Sequence, residues 1–284
     1  MNMIIIGANG QLGLALQKQY PQAQIVDAAE LDITDSKAVE AFDWTGIDTM
    51  VNAAAYTNVD GAETDQGRIA AWNVNASAVK NLSAVATKID AKLIHISTDY
   101  VFDGTAESHT EDEPFSPLSV YGQSKAAGDI AAALTPKHYV LRTSWVIGEG
   151  ANFVRTMMSL AEKNISPSVV DDQIGRLTFT KELVRAVDHL VSNNCDYGTY
   201  NLTNSGESAS WADITKLIFK TINSSCTVTG VSTAQYYKGK TGIAPRPLNS
   251  MMSLSKIEAT GFSANDWQTE LTEYISKQQK TADA

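Results

Sequence analysis

Short apolar runs alternate with longer amphipathic stretches over the first half of the chain. Runs at residues 3–6, 24–27, 49–52, 92–97 and 138–142 predict strands, and the segments 11–20, 36–42, 67–88 and 120–134 carry helical spacing. Strands this short, separated by helices, specify βαβ units and an α/β fold with a doubly wound parallel sheet covered on both faces. The longest helical stretch places Ala70, Trp72, Val74, Ala78, Val79, Leu82, Val85 and Ala86 along it. So many small residues suit close packing on a sheet or a homodimer interface, and both remain open. After Trp145 the alternation is less regular, with helices expected at 152–163, 180–192, 210–222 and 265–277 and short strands at 169–170 and 199–201. Residues 1–150 and 151–284 therefore read as a larger sheet domain and a smaller, partly interleaved lobe. The polar tail, residues 276–284, reads as a frayed end.

The first strand runs directly into Gly7-Ala8-Asn9-Gly10-Gln11-Leu12-Gly13 and then a helix. In a strand–Gly-x-x-Gly-x-x-Gly–helix unit the first glycine allows a tight turn and the second lets backbone approach a pyrophosphate. The third lets helix and strand pack closely. Gln11 and Leu12 open the helix, whose N-terminal amides and dipole favour phosphate. This is the phosphate loop of a Rossmann-like dinucleotide-binding domain, with a gap of two residues between its first glycines. Asp27, at the end of the second strand, can accept hydrogen bonds from adenosine ribose hydroxyls and would repel a 2′-phosphate, which favours NADH. Asp32 and Ile33 are candidates for the adenine pocket. Ala53-Ala54-Ala55-Tyr56, after the third strand, leave room for the central phosphates and ribose.

A net charge of −10 over 284 residues argues against nucleic acid or an anionic membrane as the main partner. Two cysteines without ligand spacing, Cys195 and Cys226, suit a reducing cytoplasm, and the four histidines form no ligand cluster. Neither a signal peptide nor a run of about 20 apolar residues is present, so a cytoplasmic chain with no membrane partner is expected.

Tyr121-Gly122-Gln123-Ser124-Lys125 sets a phenol and an ammonium four residues apart on one helical face. An ammonium there would lower the phenol's pKa toward neutrality and could also hold a nicotinamide ribose. Thr98, where the fourth strand ends, supplies a third hydroxyl.

Beyond these motifs, residues 51–63 (VNAAAYTNVDGAE), 97–104 (STDYVFDG), 142–145 (RTSW) and 246–250 (RPLNS) follow one order along the whole chain. With them the chain resembles the extended short-chain dehydrogenases and, within these, the dTDP-4-dehydrorhamnose reductases. The resemblance implies hydride transfer from NADPH or NADH to the C4 ketone of a dTDP-sugar, dTDP-4-dehydro-L-rhamnose. It implies that Tyr121 donates the proton, that Lys125 binds ribose and tunes Tyr121, and that Thr98 polarises the reacting oxygen. Asp99 and Tyr100 would contact the sugar, and Trp145 would wall its pocket. Asn152, Phe153, Gln173 and Arg246 are candidates for the nucleotide diphosphate end, where a guanidinium suits phosphate. Two departures stand out. Gly175-Arg176-Leu177-Thr178 lacks the family's usual proline, and Leu14-Ala15-Leu16 on the first helix lacks the carboxylate that some members use for a metal-bridged dimer, so no metal is expected. Two other readings remain: a non-catalytic NADP-binding regulatory subunit, of the methionine adenosyltransferase β type, and a sugar-nucleotide epimerase that retains its NAD.

Overall fold

Successive residues of a strand face opposite ways, so a strand that is apolar at every position must be covered on both sides. Met3-Ile4-Ile5-Ile6 is such a strand, and each of its residues is buried. The computed structural model describes residues 1–282. Its first half runs β1 (Met3–Ile6), α1 (Gln11–Gln19), β2 (Gln24–Val26), α2 (Ser36–Ala41), β3 (Thr49–Asn52), α3 (Asp65–Trp72), α4 (Ala78–Lys88), β4 (Lys92–Thr98), α5 (Val120–Ala132) and β5 (His138–Thr143). The second half adds β6 (Val146–Ile147), α6 (Phe153–Glu162), β7 (Ser168–Val170), β8 (Ile174–Gly175), β9 (Thr178–Phe179), α7 (Thr180–Ser192) and β10 (Gly198–Asn201). It ends with β11 (Ala209–Ser210), α8 (Trp211–Thr221), β12 (Thr229–Val231), α9 (Thr233–Tyr236), α10 (Ser255–Glu258) and α11 (Trp267–Ala282).

Six parallel strands form the central sheet in the order β10-β5-β4-β3-β1-β2. Met3, Ile5, Val51, Ile94 and Leu141 pack on one face with Leu12 and Leu16 of α1 and Leu183, Val187 and Leu190 of α7. Ile4, Ile6, Met50, Leu93 and Val140 pack on the other with Val39 of α2 and Val79, Leu82 and Val85 of α4. Each fully buried isoleucine there contributes about 1.5–3 kcal/mol. The chain turns one way from β1 to β2 and the other way to β3. Their carboxyl ends therefore diverge into a crevice, the usual ligand position in such sheets.

A third core, with Val154, Met157, Phe179, Ile214, Ile218, Trp267, Leu271 and Ile275, joins α6, α8 and α11. Short strand pairs β6–β9, β7–β12 and β8–β11 surround it. Residues 151–282 are not confined to this lobe, because α7 covers the sheet and β10 extends its edge.

Several elements differ in extent from the sequence expectation. Thr64 caps α3 by accepting the Gly67 amide at 3.0 Å, so the long helix starts earlier than residue 67. Its middle, Asn73–Ser77, widens into a π-type turn, a feature frequent at functional sites. The tail is a correction: residues 276–282 continue α11 instead of fraying, anchored upstream by Leu271 and Ile275 in the third core. Residues 283–284 of that predicted tail lie outside the described residues.

Candidate active site

The carboxyl ends of β1, β3, β4 and β5 open into a cleft of about 930 Å³. Gly7 begins the loop with φ +79°, and a Cβ there would lie 2.6 Å from the Ala54 amide nitrogen, so backbone conformation and packing both require glycine. Gly13 is equally constrained, since its Cβ would meet the Gly7 carbonyl at 2.3 Å. Gly10 is different: an added Cβ would meet only the Gly7 carbonyl oxygen, at 3.4 Å. Protein packing does not demand glycine at Gly10, whereas close approach of a ligand would. As N-cap of α1, Gly10 has no capping side chain, and the first turn holds no acidic residue, so the dipole faces the cleft unneutralised. These features fit a dinucleotide pyrophosphate.

Around this loop the cleft is lined by Gln11, Leu12, Asp27, Asp32, Ile33, Ala53, Ala54 and Ala55. Gln11 accepts the Gly148 amide at 2.8 Å, tying the loop to the start of the second lobe. The Asp27 carboxylate accepts the Ala28 amide at 2.7 Å. Asp32 is held below the usual carboxylate range by the hydroxyl and amide of Thr34. Gly13 lies beneath the loop, and Tyr56 lies beside the cleft, where its backbone is gripped by Asn75.

The proton-handling groups converge at the end of β4. Thr98, Asp99, Tyr100, Tyr121 and Lys125 all line the same cleft. Ser119 caps α5 by accepting the Gly122 amide at 3.1 Å, and Gly122 lets the helix start close to β4: a Cβ would sit 2.2 Å from the Tyr100 carbonyl oxygen. The Thr98 hydroxyl donates to Asp99 Oδ1 at 3.0 Å, and the Ser250 hydroxyl donates to Asp99 Oδ2 at 2.5 Å. Burial pushes the Asp99 carboxyl up to about 6 despite these donors. Lys125 Nζ donates to the Ile96 carbonyl at 2.6 Å, and burial lowers its pKa to about 8. The expected depression of the Tyr121 pKa is not what the structure gives. Burial raises it, and the carboxylates of Asp99 and Asp129 add to the rise, while the Thr98 hydroxyl opposes it. A phenol so placed stays protonated at neutral pH, which suits a proton donor.

Trp145 borders the cleft from the second lobe with φ +48°, a strained backbone for a bulky residue. Its indole stacks on Trp211 at 3.8 Å between centroids, and Phe153 packs on Trp211 at 4.4 Å. Phe153 itself does not line the cleft. Asn152 is not brought into the cleft: it caps α6 by accepting the Arg155 amide and donates to Gly148, Gly150 and Tyr274. Gln173 is buried and donates to the Thr233 hydroxyl at 3.0 Å. Arg246 donates to the Ala244 carbonyl at 2.7 Å, pairs with Asp60 and lies over the Tyr237 ring at 5.0 Å. Its charge acts on the Tyr100 phenol, but neither Arg246 nor Gln173 lines the cleft.

Residues not singled out by sequence also build the site. Asn75, in the π-type turn, accepts the Tyr56 amide at 2.8 Å and donates to the Tyr56 carbonyl and the Ser124 hydroxyl. An asparagine amid small apolar residues in a helix was its only signal. Ser250 and Asp60 lay within the quoted segments, but their partners are 151 and 186 residues away. Among the described residues, no group of three or more His, Cys, Asp or Glu side chains could hold a metal, and no helix is long and apolar enough to cross a membrane.

Comparison with known proteins places the chain in one family. The chain is 37% identical to a dTDP-4-dehydrorhamnose reductase of Aggregatibacter actinomycetemcomitans, across 95% of this chain and 96% of that one. A solved dTDP-4-dehydrorhamnose reductase of Clostridium acetobutylicum superposes with a TM-score of 0.90 at 37% identity, covering 98% of this chain and 100% of that one. Another, of Bacillus anthracis in complex with NADP, has a TM-score of 0.88 at 34% identity, with the same coverage. The model of the RmlD substrate binding domain matches residues 1–280, and the chain belongs to that family.

Proposed function

We propose that the chain is a dTDP-4-dehydrorhamnose reductase, which reduces the C4 ketone of dTDP-4-dehydro-L-rhamnose to give dTDP-L-rhamnose. The observation that supports this most directly is the convergence of Thr98, Tyr121 and Lys125 in the cleft that also holds the glycine loop. The cofactor is NADPH or NADH: NADP is bound by the Bacillus anthracis relative, and Asp27 and Asp32, which line the cleft, would face the adenosine. When bound, the nicotinamide supplies the hydride. Gly7, Gly10 and the first turn of α1 would hold the pyrophosphate, and Lys125 would hold the ribose. Thr98 donates a hydrogen bond to the ketone oxygen, turning its hydroxyl from Asp99 toward the substrate. That donor stabilises the negative charge developing on the oxygen. Tyr121 transfers its phenolic proton to the same oxygen, and its phenolate is then reprotonated from solvent. Asp99 and Tyr100 contact the sugar, Trp145 walls its pocket, and Arg246 with Tyr237 faces the nucleotide end. The free thiols Cys195 and Cys226 suit a reducing, cytoplasmic setting.

The test mixes the protein with dTDP-4-dehydro-L-rhamnose and either NADPH or NADH and follows nicotinamide absorbance. Stoichiometric oxidation supports the reductase. No oxidation with either cofactor, or product formed with the cofactor retained, would overturn it. Tyr121→Phe should lower kcat by about 10²–10⁴-fold with little change in cofactor Kd. Near-normal kcat in that variant would move the proton donor elsewhere.

A further inference from the structure

Tyr121 occupies the first turn of α5, so its hydroxyl can be no better placed than that turn. The opening amides of a helix have no partner inside it and must be held from outside. Ser119 holds the Gly122 amide, but the Val120 amide is held by a distant residue: Glu63 Oε1 accepts it at 2.9 Å. Glu63 ends the tight helical turn Gly61–Glu63, between β3 and α3. That turn is itself fixed, because the Gly61 carbonyl accepts the Thr64 amide at 3.2 Å and the Thr64 hydroxyl at 2.8 Å. Gly67 of α3 packs so closely on the same carbonyl that no Cβ would fit there. Beside Glu63, the fully buried Ala62 packs with Ala71 and Val120, and Tyr56 and Tyr121 lie against this small cluster. Polar and apolar contacts thus join the turn to the same residue pair. A carboxylate at the positive end of a helix is also favoured by the helix dipole.

We infer that Glu63 is a positioning residue for the reduction, which sets the first turn of α5 and through it the Tyr121 hydroxyl against Thr98. This inference rests on the reductase reading but is not the same claim. Glu63 does not line the cleft, and displacing a reacting group by a fraction of an ångström costs turnover more than binding.

The test compares wild type, Glu63→Ala and Glu63→Gln, the last keeping an oxygen acceptor for Val120. Glu63→Ala should lower kcat about tenfold while KM for the keto-sugar nucleotide and Kd for NADPH stay within about twofold. Amide hydrogen exchange at the first turn of α5 should speed up in the same variant. Glu63→Gln should restore most of the kcat and the protection. Unchanged kcat in Glu63→Ala, or a loss that Glu63→Gln does not restore, overturns the positioning role. So does a parallel loss of NADPH affinity, which marks general unfolding of the cleft. Hydrogen exchange decides the contact without any turnover, so an inactive wild type would count against the reductase reading alone.

Discussion

Asp60, in the β3–α3 segment, and Arg246, 186 residues further on, form an ion pair whose charge acts on Tyr100 in the cleft. Arg246 Nη2 lies 2.9 Å from Asp60 Oδ1 and 3.0 Å from Oδ2, while the Ala244 amide also donates to Oδ1 at 3.0 Å. The pair draws residues 244–246 toward the β3–α3 segment and fixes the plane of the guanidinium, whose remaining N–H groups would serve the proposed phosphate contact. Arg246→Ala should therefore raise KM for the sugar nucleotide by about 10–100-fold, and Asp60→Ala by about fivefold through lost orientation. The double variant should be no worse than Arg246→Ala alone, because both act through one guanidinium. Steady-state kinetics with saturating cofactor measures all three. Additive losses would show that Asp60 acts by another route.

The glycines of the loop should separate by phenotype. Gly13→Ala drives a Cβ into the Gly7 carbonyl at 2.3 Å and should lower Tm markedly. Gly10→Ala meets nothing closer than 3.4 Å, so its Tm should stay near wild type. Its new methyl would instead stand in the proposed approach of the pyrophosphate and should weaken NADPH binding about tenfold or more. Thermal melts and cofactor titration on the two variants check this, and equal effects on both quantities would remove the cofactor from Gly10.

Trp145 depends on a glycine far from it in sequence. A Cβ on Gly175 would lie 2.9 Å from Trp145 Cζ2 and 3.1 Å from Ser250 Cβ. Trp211 stacks on the same indole, and the backbone of Trp145 is already strained, so the ring, which lines the cleft, has little room to yield without shifting there. Gly175→Ala should raise KM for the sugar nucleotide by about fivefold or more and leave NADPH affinity within about twofold. A variant that binds both ligands normally would show that Trp145 does not wall the sugar pocket.

Local chemistry made the sheet and the cofactor end legible in the sequence. Met3–Ile6, Thr49–Asn52 and the loop Gly7–Gly13 state their structure through alternation and spacing alone. Tyr121 and Lys125 were legible for the same reason, since one helix sets their separation. The electrostatics were not, because burial raises the phenol and depresses the ammonium, and burial belongs to the whole fold. The Glu63–Val120, Ser250–Asp99 and Asp60–Arg246 contacts link distant segments, and no periodicity encodes them. Asn152 was misleading for a local reason: before a helix, an asparagine serves equally as a cap, and here it caps α6.

Lys125 links pH to activity and to stability with opposite signs. Burial lowers its pKa in the folded chain from 10.5 to about 8. In the free enzyme the ammonium, the group proposed to hold the cofactor ribose, is therefore lost as pH rises through about 8. The value of kcat/KM for NADPH should bend downward there, since that ratio reports the free enzyme. For stability the sign reverses. Between pH 8 and 10.5 the unfolded chain holds the proton more tightly than the folded one, so this lysine's destabilising effect disappears as pH rises. In Lys125→Met the lysine's contribution is removed at every pH, while other groups titrate as before. The Tm of wild type relative to Lys125→Met should accordingly increase from pH 8 upward, over the same range in which wild-type kcat/KM falls. Thermal melts and initial rates measured on one set of buffers test both halves. A relative Tm that stays level or falls would mean that Lys125 is not a buried cation in the folded chain.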